Sequence, residues 1–290
     1  MRKGLNILFI AVVAALFVFS AGCTSGTKNP AGAQIKFVDS LDTPMQASLS
    51  ALQGDVFAEI ESLFMNARDC GAYAGENYSN TGTDTDKNTY LKSEMSAKVA
   101  GNKNILTVAY IGNDGILKEI VPESEDILSG DSLTYQDSVV LMNKEKVPML
   151  TDLFELKQGG YAAAVYYPVF SKDSYQGFIS ITFSPETLLS EYALSLKEDT
   201  GFEVMALQTD GVILYDPDEK ETGTPTFDNP AYNDFPDIVR AAEKIVKEWS
   251  GSAEYSYYST GTDETVKKRL YWTTVSAGNN EWRIMAVMDM

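Results

Sequence analysis

The sequence predicts an α+β protein: one long N-terminal helix, then two modules, each a five-stranded antiparallel sheet with helices on one face. Three observations carry this. Over residues 41–70, apolar side chains recur in steps of three or four, the spacing of one helix face. From residue 105 the pattern changes to short β-rich runs separated by turn signals. That second pattern occurs twice, each time as a hairpin with Asp-Gly at its turn, a helical connection and a meander of strands.

The N-terminus comes first. Arg2 and Lys3 precede an apolar run over residues 5–19, and Ser20, Ala21 and Gly22 lead into Cys23. Charged, apolar and small-residue regions in that order make a secretory signal. The run is short against the roughly 20 residues of a membrane-crossing helix. Its ending resembles the lipobox of prokaryotic lipoproteins, although Ser20 stands where Leu is usual. The resemblance implies a signal peptide over residues 1–22 and lipidation at Cys23. The rest of the chain would then sit on the extracytoplasmic face of the cell membrane. Residues 23–38, rich in Gly, Ser, Thr and Pro, read as a tether.

The long helix begins near Asp42 or Thr43, before Pro44, and extends to about Ala74. Its apolar stripe is Leu41, Met45, Leu49, Leu52, Val56, Ile60, Leu63, Ala67 and Cys70, which makes Cys70 a buried small hydrophobe. Residues 77–88 read as a loop. Asn77-Tyr78-Ser79 spells a glycosylation sequon, and Asp84, Asp86 and Asn88 open like a calcium loop. Thr89 and Met95 replace the Gly and Glu that such a loop requires, so no metal site is expected.

The first module reads as strands 106–111 and 116–121 around Asn113-Asp114-Gly115, a helix near 135–144, and strands 161–170 and 177–183. The second reads as strands 203–208 and 212–215 around Asp210-Gly211, a helix over 234–249, and strands 253–258, 269–275 and 282–288.

Composition removes several chemistries. The chain has 290 residues, 41 acidic against 23 basic, no His and two Cys. Without His there is no Ser-His or Cys-His nucleophile pair and no imidazole base. Two cysteines cannot build a four-thiolate metal site or a disulfide scaffold. A formal charge of −18 argues against nucleic acid as a partner. Asp199-Thr200-Gly201 spells the aspartic-protease triplet, but it occurs once and reads as a helix exit capped by Gly201. Asp216, Asp218, Glu219 and Glu221 read as a solvated acidic turn. Tyr255, Tyr257, Tyr258 and Tyr271 read as sheet and inter-module packing.

The ordered phrases Val147-Pro148-Met149-Leu150, Tyr167-Pro168-Val169-Phe170, Gly177-Phe178-Ile179-Ser180 and Pro185-Glu186-Thr187-Leu188-Leu189 resemble the first module of the double Cache family. Residues 208–216 and Glu281-Trp282-Arg283 resemble the second. Those are the PAS-like extracytoplasmic sensors of chemoreceptors and histidine kinases. The resemblance covers about residues 40–288. It implies a long helix and membrane-distal module over 39–190 and a membrane-proximal module over 191–290. Family members that bind amino acids carry an Arg, a Trp and a Tyr before the first module's short helix, and an Asp on its last strand. Here residues 130–136 hold neither Arg nor Trp, and residues 180–183 hold no Asp.

By period two, Ala162, Ala164 and Tyr166 share one strand face, and Ser180 and Thr182 share another. Small and hydroxylic residues side by side leave room and hydrogen-bonding capacity. The expected ligand site is this face, lined by Tyr110, Tyr166, Ser180 and Thr182 and closed by the loop holding Tyr135. The expected function is binding of a small, uncharged or weakly charged molecule, with no catalysis and no cofactor. Because the chain ends at Met290 without a signalling domain, it is expected to act through a membrane receptor or transporter. The alternative is a structural or interaction lipoprotein whose pockets are filled by its own side chains.

Overall fold

Both sheets are organised around one long helix. In the computed structural model, residues 42–77, 85–125, 127–259 and 261–290 are described. The signal, the tether and Cys23 lie outside the described residues, as do Tyr78 and Ser79 of the sequon and Asp84.

Helix α1 (Asp42–Asn77) runs 36 residues. Met45, Leu49, Leu52, Val56, Ile60, Leu63, Ala67 and Cys70 of its predicted stripe are all at most 4% exposed. Each large apolar side chain so buried contributes about 1.5–3 kcal/mol. Burial pushes the Cys70 thiol up to about 11, which suits its role as packing. Helix α2 (Thr85–Gly101) occupies part of the expected loop. Only Leu91 and Met95 of its described side chains are fully buried, too few to mark a helix in the sequence.

The first sheet is built from β1 (Ile105–Gly112), β2 (Leu117–Val121), β3 (Met149–Leu150), β4 (Phe154–Glu155), β5 (Tyr161–Ser171) and β6 (Ser174–Phe183). Its order is β2-β1-β6-β5-β3, all antiparallel, with β4 pairing β5 beside that path. The five-stranded path matches the expectation. Two-residue strands such as β3 and β4 are too short for alternation to reveal. Helix α3 (Asp137–Glu145) lies between β2 and β3 in sequence.

Helix α4 (Pro185–Thr200) starts where the Ser184 hydroxyl accepts the Thr187 N–H at 3.0 Å, and Pro185 takes the first turn. It ends at Gly201, φ 79°, so the Asp-Thr-Gly triplet is a helix exit. The second sheet follows: β7 (Glu203–Gln208), β8 (Ile213–Tyr215), a 3-10 turn (Pro230–Tyr232), helix α5 (Pro236–Lys247), β9 (Gly251–Tyr258), β10 (Thr265–Ala277) and β11 (Asn280–Asp289). Its order is β8-β7-β11-β10-β9.

Alternation along the strands assigns the faces. Ala163 and Val165 of β5 and Tyr271 and Val275 of β10 join the core under α1. Ala164 and Tyr166 face α3, and Leu270 and Trp272 face α5. Each sheet thus has its own short helix on one face, as expected, and shares α1 on the other. The two sheets meet through Phe183 and Trp282, ring centroids 6.1 Å apart. Asn279 and Asn280 of the β10–β11 turn bond the Leu150 N–H at 3.0 Å and the Asp152 carboxylate at 2.9 Å.

Candidate functional site

Strand register sets the geometry of the α3 face of the first sheet. Pairing of β1 with β6 puts Ala109 opposite Ser180 and Thr107 opposite Thr182. Pairing of β5 with β6 puts Tyr166 opposite Ser180 and Ala164 opposite Thr182. Two rows cross the central strands: Ala109, Ser180, Tyr166, and Thr107, Thr182, Ala164. All but Tyr166 are small, so the floor is low. Above it lies a cavity of about 640 Å³. Leu117 and Ile120 from β2, Val139 from α3, and Leu133, Tyr135 and Gln136 from the preceding loop wall it, with residues 154–158 opposite.

The polar groups on this floor are few. The Tyr166 hydroxyl shares a hydrogen bond with Ser138 Oγ at 3.2 Å, and its ring packs on Phe178 at 4.7 Å. Burial raises the phenol's pKa against the opposing pull of Ser138, so the hydroxyl stays neutral and can both donate and accept. Ser180 is 7% exposed and its hydroxyl has no protein partner among the described residues. An unmet hydroxyl on the floor of a cavity is a ready hydrogen bond for an occupant. Charge lies at Asp131, Glu155 and Lys157, and no arginine lines the cavity among the described residues. The surroundings are otherwise mostly apolar.

Tyr166, Ser180, Thr182 and Tyr135 are therefore brought together, Tyr135 being 73% exposed. Tyr110 is not with them. It lies opposite Ile179, 1% exposed, in the core under α1, with its hydroxyl 3.4 Å from the Gln176 carbonyl. Neighbours on a strand point to opposite faces, so once Ala109 faces the cavity Tyr110 faces away. Ala109 and Thr107 are the cavity residues that sequence reasoning missed. Parity within β1 was visible, but the β1–β6 register that sets which parity meets Ser180 was not.

In the second module Tyr271 packs in the core under α1 and Tyr255 in the core under α5, 5% and 4% exposed, as expected. Tyr255, Tyr257 and Tyr258 also border a second cavity of about 300 Å³, together with Asp216, Asp218 and Glu221, which was not expected. Of the acidic run, only Glu219 is exposed, and Asp216, Asp218 and Glu221 are half-buried.

Residues 67–185 match the family model described as HK/GC/Chemotaxis protein-like, sensor domain. No curated protein matches the chain. Among solved structures, the extracellular ligand binding receptor from Desulfohalobium retbaense is 16% identical with a TM-score of 0.66, over 85% of this chain and 40% of that one. This chain thus spans well under half of that receptor. The ligand binding domain of the Pseudomonas aeruginosa amino acid chemoreceptor PctB, in complex with L-Gln, is 14% identical with a TM-score of 0.63, over 85% of this chain and 90% of that domain. The ligand-binding domain of the Pseudomonas fluorescens chemoreceptor CtaA, in complex with L-serine, is 12% identical with a TM-score of 0.63, over 86% and 97%. The fold is that of Cache-type extracellular ligand-binding domains, as the sequence resemblance implied.

Proposed function

We propose that this chain, with the fold of a chemoreceptor-type sensor domain, binds a small, uncharged or weakly charged molecule in the first module and changes nothing chemically. One observation carries the reading: a cavity of about 640 Å³ opens over the Ser180 hydroxyl, which no protein group engages among the described residues, beside the neutral Tyr166 hydroxyl. That space is not filled by the protein's own side chains, which favours binding over the structural alternative. The solved neighbours include domains in complex with amino acids. A free α-carboxylate pairs best with a forked guanidinium, and this cavity has none among its described lining residues. The lining suits a mainly apolar molecule carrying one hydroxyl or carbonyl. In this reading Cys23 carries the lipid, the chain stands on the extracytoplasmic side, and a membrane receptor or transporter reads its state.

The test is a melting-temperature screen of a metabolite library. A ligand at a hundred times its dissociation constant stabilises the native state by about 2.7 kcal/mol. The shift is expected to vanish in Ser180→Val and to weaken in Tyr166→Phe, while the unliganded variants still melt cooperatively. Hits confined to free amino acids, or full shifts in both variants, overturn the reading. For the anchor, Cys23→Ala is expected to abolish lipid attachment, and an unchanged lipid content and N-terminus reject it.

A further inference from the structure

The second cavity differs in kind from the first. It lies against β7, β9 and β10, with the loop after β8, the 3-10 turn, Ile238 of α5 and the turn residues Ser259 and Gly261 to Asp263 as its other walls. Aromatic rings form one side. Tyr232 and Tyr257 meet edge to face at 5.4 Å, Tyr257 and Tyr258 lie 5.2 Å apart, and Phe235 backs Tyr257 at 5.1 Å.

Carboxylates face those rings. Glu221 accepts hydrogen bonds from the Tyr232 hydroxyl at 2.7 Å and the Tyr257 hydroxyl at 3.5 Å, which fix it in place. Burial, aided by Glu221, pushes the Tyr257 phenol up to about 12 and raises Tyr232 further, so both keep their protons and remain donors. Asp216 accepts the Asp218 N–H at 2.8 Å and lines the cavity. With Glu203, Asp218 and Asp263, carboxylates outnumber the two ammonium groups on the wall, Lys220 and Lys268.

Lys268 adds a hydrogen-bond donor to the same wall. Its side chain is 6% exposed, and its ammonium stands 3.5 Å from Glu203 and 3.6 Å from Asp289. No hydrogen bond completes it among the described residues. A buried ammonium has three N–H donors, and two long ion pairs leave donor capacity toward the cavity. No group of three carboxylates is placed to ligate a metal among the described residues, so a bare divalent cation does not fit. An organic cation does, because tyrosine rings and carboxylates together desolvate and hold an ammonium head.

We propose that this second cavity binds a small organic ammonium compound that also carries a hydrogen-bond acceptor. The head lies against Asp216, Glu221 and the tyrosine rings, and the acceptor takes the free donors of Lys268. The site is independent of the one under α3.

Proton linkage supports the assignment. Asp216 is faced by Asp218 and Glu221 from its own loop, Lys268 from β10, Tyr255 and Tyr257 from β9, and Tyr232 from the 3-10 turn. Burial, with Glu221 adding to it, brings the Asp216 carboxyl up to about 7. An ammonium beside it selects the ionised form. Apparent affinity follows the ionised fraction and rises about tenfold between pH 6 and pH 8, with proton release on binding.

The experiment is isothermal titration of the full chain with choline, glycine betaine and ethanolamine, with acetate and glycerol as controls, at both pH values. At least one of the three ammonium probes is expected to bind, more tightly at the higher pH. Glu221→Gln removes the charge, keeps one accepting oxygen for the Tyr232 hydroxyl, the shorter of the two bonds, and is expected to weaken binding by at least about tenfold. Asp216→Asn is expected to weaken it and remove the pH dependence, and Ser180→Val is expected to leave it unchanged. Absence of binding at millimolar concentration, binding of acetate or glycerol instead, or native affinity in Asp216→Asn overturns the proposal. Loss of binding in Ser180→Val assigns the probe to the first cavity and overturns it equally. If Glu221→Gln does not fold, Asp216→Asn and the pH series decide.

Discussion

Asp216 is a half-buried acid whose neutral form the fold prefers. Its carboxyl titrates near 7 in the folded chain, above the ordinary carboxylate value of 3.8. The folded state therefore binds more protons than the unfolded state between those values, so stability falls as pH rises through that window. Asp216→Asn is expected to raise stability by about 1–3 kcal/mol at pH 8, with the gain disappearing below about pH 4. Urea midpoints of both proteins at the two pH values check this, and an equal gain at both rejects the desolvation argument. Gly211 makes a different demand. It sits at φ 91° in the Asp210-Gly211 turn, and a side chain there would run into the Phe227 ring. Gly211→Val combines left-handed strain with overpacking and is expected to cost about 2–4 kcal/mol by chemical denaturation. The turn was legible because Asp-Gly is a local signal. The Phe227 contact was not, because it joins residues across a loop.

Among the elements, α5 shows how strands complete a helix. Arg283, 4% exposed on β11, donates to the carbonyls of Ile245 at 3.0 Å and Val246 at 3.2 Å, and pairs with Glu281 at 2.9 Å. From β10, Trp272 Nε1 donates to the Glu248 carbonyl and Thr274 to the Trp249 carbonyl. The bonds to Ile245, Val246 and Glu248 satisfy carbonyls that the helix leaves open at its end, the bond to Trp249 holds the chain just beyond it, and the guanidinium complements the helix dipole. Arg283→Met is expected to cost about 2–4 kcal/mol, and Arg283→Lys to restore only part, since one ammonium cannot reproduce the fork. Urea midpoints of the two variants give the comparison, and full restoration by Lys rejects the geometric role. Long strands such as β10 and β11 were legible because ten or more residues alternate. Faces were legible too, which is why Tyr166, Ser180 and Thr182 fell together. Register between strands distant in sequence was not, and this misplaced Tyr110 and hid the cavity beside β9. Helix α2 escaped because its described residues bury so little.

Across the whole molecule, α1 belongs to two cores. Gln53 donates to the Thr274 carbonyl on β10 of the second sheet, while Gly71 lies against Val169 and Ile179 of the first. Phe183 and Trp282 close the junction between the sheets. Neither sheet can lose its cover without stripping the other, so calorimetry is expected to show one unfolding peak whose calorimetric and van't Hoff enthalpies agree. Two resolved peaks would mean that the modules stand alone. The shared helix also joins events at its two ends. Amide protons near Leu52 and near Cys70 are separated by roughly 27 Å of helix axis. They are nonetheless expected to exchange with deuterium at one common slow rate, set by a single opening of the whole molecule. A molecule held in either cavity then slows both by the same factor, and the helix reports occupancy along its length without a change of shape.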